Sequence, residues 1–137
     1  MPENISKPVP VVQPWARPFW DAARERRFVL QHCEACTKPI HYPRIACPHC
    51  GSDRLGWREA SGRGKVYSFT VVVSNAPSAF LADMPYVVAI IELAEGVRIL
   101  SNLVECDPAQ LRCEMPVEVV FDVLNEEFTL PKFRPAR

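Results

Sequence analysis

The chain has 137 residues, sixteen basic and sixteen acidic side chains, and 48% hydrophobic residues. That length supports one modest core, or a metal-stapled module plus one small domain, and no apolar run approaches the roughly 18 residues needed to cross a bilayer. A formal net charge of zero argues against a protein whose main work is gripping phosphate backbones, because non-specific nucleic-acid affinity comes from excess positive charge.

Residues 1–17 read as an extended arm, since the stretch up to Pro14 carries four of the fourteen prolines and no helical periodicity. The start shows no basic, apolar, small-residue leader, so a reducing cytoplasm is the expected location. From Pro18 to Arg27 the pattern turns helical. Pro18 suits a first turn, Asp21 favours the positive helix start, and Arg24, Arg26 and Arg27 favour its end. Trp15, Phe19, Trp20 and Ala23 give this helix an apolar side, which either covers the adjoining module or docks a partner.

Residues 18–60 are expected to form this helix plus a metal ribbon. A strand over Phe28–Gln31 enters the turn Cys33-Glu-Ala-Cys36, and a strand over Leu55–Ala60 leaves the turn Cys47-Pro-His-Cys50. Ten residues separate the two pairs, enough chain to return and place four thiolates at the corners of one tetrahedron. Gly51 follows the second turn, where positive φ is needed and glycine adopts it cheaply; Thr37 follows the first without that aid. One zinc ion is the expected occupant, ahead of disulfides, which a reducing compartment disfavours. Four thiolates around one divalent ion fill its coordination shell, so the site is structural, and Lys38, Arg44 and Arg54 are near enough in sequence to offset its excess negative charge. His32, His41 and His49 read as surface groups or neighbours of the ligands, and Cys106 and Cys113 as small packed side chains.

Residues 61–137 read as a β-barrel domain. Ser61-Gly62-Arg63-Gly64 is a turn, followed by strands at Lys65–Val73, Tyr86–Leu93, Val97–Val104, Pro116–Val123 and Phe128–Phe133. Ala94-Glu95-Gly96 and Leu124-Asn125-Glu126-Glu127 join hairpins, and Pro108–Leu111 forms a helical turn after the third strand. Five strands with one helical insertion fit an OB-type barrel, giving a mainly β protein overall. Its long first connection, 74–85, carries Phe80, Leu81 and Met84, which either tuck into the barrel end or meet a ligand or partner.

The search for catalysis returns negatives: no Gly-x-Ser-x-Gly elbow, no phosphate-cradling Gly-x-x-x-x-Gly-Lys and no His-Glu-x-x-His. Glu126 and Glu127 are adjacent and read as solvated turn residues, not as an acid/base pair.

The order of these segments resembles a known family. The Phe19-Trp20 helix and the two cysteine turns are followed by Gly64-Lys-Val-Tyr-Ser-Phe-Thr-Val-Val72, Pro85-Tyr-Val-Val-Ala89, Leu100-Ser-Asn-Leu-Val-Glu-Cys-Asp-Pro108 and Met115-Pro-Val-Glu-Val-Val-Phe121. Together they are similar to the acyl-CoA-associated proteins that place a rubredoxin-like zinc ribbon before an OB-fold, over roughly Pro18 to Phe133. Thr37, where glycine commonly follows the first pair, and Cys113, where an aliphatic residue is usual, depart from the pattern. The resemblance implies a non-catalytic accessory subunit that binds a thiolase-fold enzyme as a hetero-oligomer, shares its acyl-CoA and helps form an acyl-CoA/pantetheine channel. Phe80, Met84 and Tyr86 are the expected substrate or partner contacts, with no membrane or nucleic-acid partner. A single-stranded nucleic-acid binder is the alternative, with Tyr67 and Phe69 on one strand face for base stacking. A stand-alone acyl-CoA hydrolase lacks any visible nucleophile.

Overall fold

The computed structural model describes residues 6–137. Residues 6–13 carry no regular structure, and a 3₁₀ turn at Pro14–Ala16 leads into helix α1, Arg17–Arg24. The helix ends three residues before the expected Arg27, because Arg26 turns to φ 59° and the amides of Arg26 and Arg27 fold back onto Ala23 O and Ala22 O. That is a Schellman closure made without glycine. Phe19, Ala22 and Ala23 face inward.

Strand β1 (Val29–Cys33) lies between β2 (Pro39–Ile40) and β3 (Leu55–Glu59) in a three-stranded antiparallel sheet. The two-residue β2 was not foreseen in the sequence, being too short to show any alternation. Strands β4 (Arg63–Val72), β5 (Tyr86–Leu93), β6 (Arg98–Leu103), β7 (Pro116–Val123) and β8 (Thr129–Pro135) close into a five-stranded barrel in the order β4-β5-β6-β8-β7. This is the OB-type barrel the strand count predicts, with the 3₁₀ turn Pro108–Gln110 at the expected insertion, capped by Asp107 accepting the Ala109 amide at 2.9 Å.

Strand β5 shows why the sequence reads so clearly. Val87, Ala89, Ile91 and Leu93 are buried and their alternates are half-exposed, the period of two that a strand with one packed face imposes. Strand β4 begins at Arg63, inside the expected turn, because Gly64 pairs directly with β5: a Cβ there would lie 2.5 Å from the Glu92 carbonyl oxygen. Closure between β6 and β8 is parallel and rests on the single pairing of Leu103 with Phe133, supported by the Val104 amide donating to Phe133 O at 2.8 Å.

One core serves both modules. Phe19 of the helix and Phe28 and Leu30 of the ribbon join Val66, Ile91, Leu103, Val117 and Phe133 of the barrel in a continuous cluster. Phe28 stacks edge-on against both Phe19 and Phe133, with ring centroids 6.1 Å apart in each pair. The helix therefore seals the joint between ribbon and barrel, and Trp20 extends it by an edge contact to Phe128. A second, smaller cluster of Cys33, Ile40 and Cys47 lies inside the ribbon, and Cys36 and Leu55 pack against it. Among the described residues no helix is long and apolar enough to cross a membrane.

Candidate functional site

The four cysteines of the paired turns converge: their Sγ atoms all lie within 4.8 Å of one another. Two cross-turn pairs, Cys33–Cys50 at 3.6 Å and Cys36–Cys47 at 3.7 Å, approach the edge of about 3.8 Å that a tetrahedron of metal–sulfur bonds near 2.3 Å requires. The donor set and its spacing fit a four-thiolate metal centre. It is the sole cluster of potential metal ligands found among the described residues.

The two turns are built alike. In the first, the Thr37 amide donates to Cys33 O, the Cys33 amide to Lys38 O, and the Cys36 amide points at Cys33 Sγ at 3.4 Å. In the second, the Gly51 amide donates to Cys47 O, the Cys47 amide to Ser52 O, and the His49 amide points at Cys47 Sγ at 3.3 Å. Both turns leave through positive φ, 65° at Thr37 and 79° at Gly51. Glycine serves the second exit, as the sequence suggests; threonine holds the same conformation at the first, at a cost of order 1 kcal/mol or more. Thr37→Gly is expected to relieve that strain, its own entropic cost subtracted, and to raise the melting temperature of the metal-loaded protein by a few degrees. A lower melting temperature would show that the Thr37 hydroxyl, which donates to Cys36 O at 2.6 Å, outweighs the strain.

Backbone amides also prepare the sulfurs for metal. The Cys36 amide, helped by the Ala35 amide and the Cys50 thiol and opposed by burial, lowers Cys33 to about 7. At Cys50 the strongest single influence, the Ser52 amide, lowers the value, but burial and the other three thiols together push it up to about 11. In the metal-free turns Cys33 thus ionises far more readily than Cys50. A divalent ion reverses the repulsion that holds Cys50 protonated.

The histidines, read as surface groups or neighbours of the ligands, divide: His49 and His32 adjoin candidate ligand cysteines in the chain, and His41 fits neither description. His49 is exposed, but His32 is buried, with Nδ1 3.6 Å from Glu34 Oε1. His41 is packed between the rings of Phe19, at 5.6 Å, and Tyr42, at 4.2 Å, and neither of its ring nitrogens has a hydrogen-bond partner. Burial lowers its pKa from 6.5 to about 4. The unfolded chain takes up a proton on this ring below pH 6.5 and the folded chain does not until about pH 4. The contribution to stability is therefore complete above pH 6.5 and drains away as the pH falls towards 4, by a few kcal/mol in all. Denaturant midpoints measured between pH 7 and 5 are expected to fall more steeply for the natural chain than for His41→Phe. Parallel slopes would assign the acid sensitivity elsewhere.

Cys106 is half-buried and packs against the barrel core, as expected, but Cys113 is exposed and packs against neither core cluster, contrary to expectation. The expected contact residues fall in the long connection and the strand after it. Residues 78–83, read as featureless, form 3₁₀ turns. Phe80 and Tyr86 stack at 6.2 Å and line a cleft of about 490 Å³, together with Lys7 of the arm, Asp83 and Asn102; Met84 is half-buried but is not among the residues lining it. Lys7 pairs with Asp83 at 2.7 Å and sits 5.6 Å over the Phe80 ring, so the arm closes one side of this cleft. Tyr67 and Phe69 do not share a face. The register slips between Val66 and Ser68, which turns Tyr67 outward, 43% exposed beneath the Arg98 guanidinium, while Phe69 packs against the core. The pair of stacking aromatics needed by the nucleic-acid reading is absent at this strand.

Comparison with known proteins matches both modules to one family. Residues 20–56 match the family model "ChsH2, rubredoxin-like zinc ribbon domain" and residues 57–122 match "ChsH2, C-terminal OB-fold domain". A probable enoyl-CoA hydratase alpha subunit of Thermomonospora curvata is 45% identical over 86% of the chain, which spans only 37% of that relative's length. A DUF35 domain-containing scaffold protein of Methanothermobacter thermautotrophicus is 39% identical over 69% of this chain and 71% of its own. The benzoylsuccinyl-CoA thiolase subunit BbsA of Thauera aromatica is 30% identical over 69% of this chain and 62% of its own. Among solved structures, a chain of the Ltp2-ChsH2(DUF35) aldolase superimposes with a TM-score of 0.85 at 42% identity, covering 93% of this chain and 98% of that one.

Proposed function

We propose, because this chain belongs to the ChsH2 family of proteins that join a rubredoxin-like zinc ribbon to an OB-fold, that it is a non-catalytic accessory subunit of a thiolase-fold enzyme in the cytoplasm. In this reading it docks on the enzyme as a hetero-oligomer and helps to wall the channel through which an acyl-CoA reaches the partner's catalytic cysteine. The observation that carries the reading is the 42% identity, across nearly the full length of both, to a chain of an aldolase assembly. The names of the thiolase-subunit and scaffold relatives point the same way.

Zinc is the metal proposed for Cys33, Cys36, Cys47 and Cys50. Four thiolates leave no position for water or substrate, so the ion would hold the two turns together and take no part in a reaction. The cleft beside Phe80 and Tyr86 offers a concave wall in which two aromatic rings stand among charged side chains, Lys7, Asp83, Glu105, Asp122 and Lys132, a surface that a partner or a polar ligand could cover. Met84, next to it in the chain, completes the proposed contact set.

The test is co-expression with a thiolase-type enzyme encoded beside this chain. The two are expected to co-purify, with turnover of the enzyme depending on the chain; full turnover by the enzyme alone and no association would end the proposal. Phe80→Asp is expected to lower that turnover roughly tenfold with the metal still bound, as burying a carboxylate against the partner costs more than 1 kcal/mol. Unaltered kinetics would move the contact away from Phe80.

A further inference from the structure

The two clefts that meet at His41 are used by nothing described so far. One, of about 350 Å³, lies between the ribbon and the β5–β6 hairpin and is lined by Arg44, His49 and Arg98, with no carboxylate among its walls. The other, of about 300 Å³, is lined by Trp15, Trp20, Tyr42 and Leu100 and has no charged side chain. His41 lines both.

The geometry points to a seat for the adenine nucleotide end of coenzyme A, its phosphate on Arg44, His49 and Arg98 and its base in the aromatic groove beside His41. The backbone presenting Arg44 is fixed from both sides by Gln31, which donates from Nε2 to Arg44 O at 2.8 Å and accepts the Arg44 amide on Oε1 at 2.7 Å. Arg98 is oriented by the Tyr67 ring, 3.7 Å below its guanidinium carbon, and by Glu92, 3.4 Å from its Nε; Glu92 also lies 3.9 Å from Lys65, so its charge is shared. Planar guanidinium groups suit phosphate oxygens, and Trp15 and Tyr42, 41% and 52% exposed, offer faces for a purine. His41 lies at the junction and lines both clefts, its two ring nitrogens shielded from solvent. Each cleft is within the size range of small-molecule sites, and neither alone has both chemistries.

The inference rests on the accessory-subunit reading only in choosing coenzyme A as the nucleotide's source. Its test is separate from co-purification, which would survive its failure. Adenosine 3′,5′-bisphosphate titrated into the full, metal-loaded chain is expected to change the tryptophan fluorescence saturably. Arg44→Gln should weaken that binding roughly tenfold, and Arg44→Glu with Arg98→Glu should weaken it further, with metal content and circular dichroism preserved. Coenzyme A should bind at least as tightly as the bisphosphate, and ATP and inorganic phosphate more weakly. Equal affinity for ATP and coenzyme A would overturn the choice of coenzyme A. The seat itself would be overturned by undiminished binding in the double variant, by no saturation at millimolar bisphosphate, or by tighter binding of oligo(dA), which would mark a nucleic-acid surface instead.

Discussion

Cys33→Ser is expected to empty the metal centre and unfold the ribbon while the barrel persists. Beyond the Phe28 and Leu30 anchor to the barrel, the part of the ribbon around the turns has little else to hold it: its private core is Cys33, Ile40 and Cys47, with Cys36 and Leu55 at the margin, and three of those five residues are proposed ligands. In isolated zinc-finger peptides the bound ion supplies about 10–16 kcal/mol of folding free energy, far more than five side chains bury here. Cys33 is also a thiol whose neighbouring amides lower it to about 7, so the variant loses a sulfur already prepared to ionise. Elemental analysis should fall from one ion per chain towards none, and the amide resonances of residues 33–54 should collapse to unfolded positions as barrel resonances stay dispersed. One full equivalent of metal in the variant, or an unperturbed ribbon after chelation, would refute the structural role of the ion.

Phe133→Ala should cost about 3–5 kcal/mol, a large part of the roughly 5–15 kcal/mol that holds a domain together. Phe133 has no exposed surface, packs edge-on against Phe28 of the ribbon, and forms with Leu103 the ladder pair between β6 and β8, which the Ser101 hydroxyl reinforces by donating to Pro131 O at 2.9 Å. Truncation opens a cavity where the barrel closes and where the two modules share their core, so collapse around it is restricted from three sides. A fall in melting temperature on the order of 10 °C is expected at fixed metal concentration. Phe133→Leu, which keeps most of the volume, should lose much less. A small and equal loss in both variants would mean that closure does not depend on this ring.

The parts of the fold that were legible in the sequence are those where one physical demand acts alone. The cysteine turns announce themselves because a four-thiolate site tolerates few spacings, and β5 because a strand with one buried face must alternate. Elsewhere two demands compete. The slip between Val66 and Ser68 breaks the alternation that placed Tyr67 with Phe69, and no residue type there signals a bulge. Threonine at 37 conceals a turn exit that glycine would have revealed. His41 reads as polar, yet tertiary packing between Phe19 and Tyr42 buries it without partners, and no local pattern encodes that. Phe80 and Tyr86 are legible through their apolar character in a loop and beside it, whereas the Arg44, His49 and Arg98 cleft is assembled from two segments remote in sequence, 39–49 and 96–98, and becomes visible when they are folded together.

Val66, Ile91, Val117 and Phe133 fill the middle of the barrel so fully that each is at most 1% exposed. A solid cylinder has no bore, so a long flexible molecule cannot be threaded along its axis. Any such molecule can pass only over the outside, so the proposed channel needs a second wall from the partner and would exist only while the two proteins stay joined.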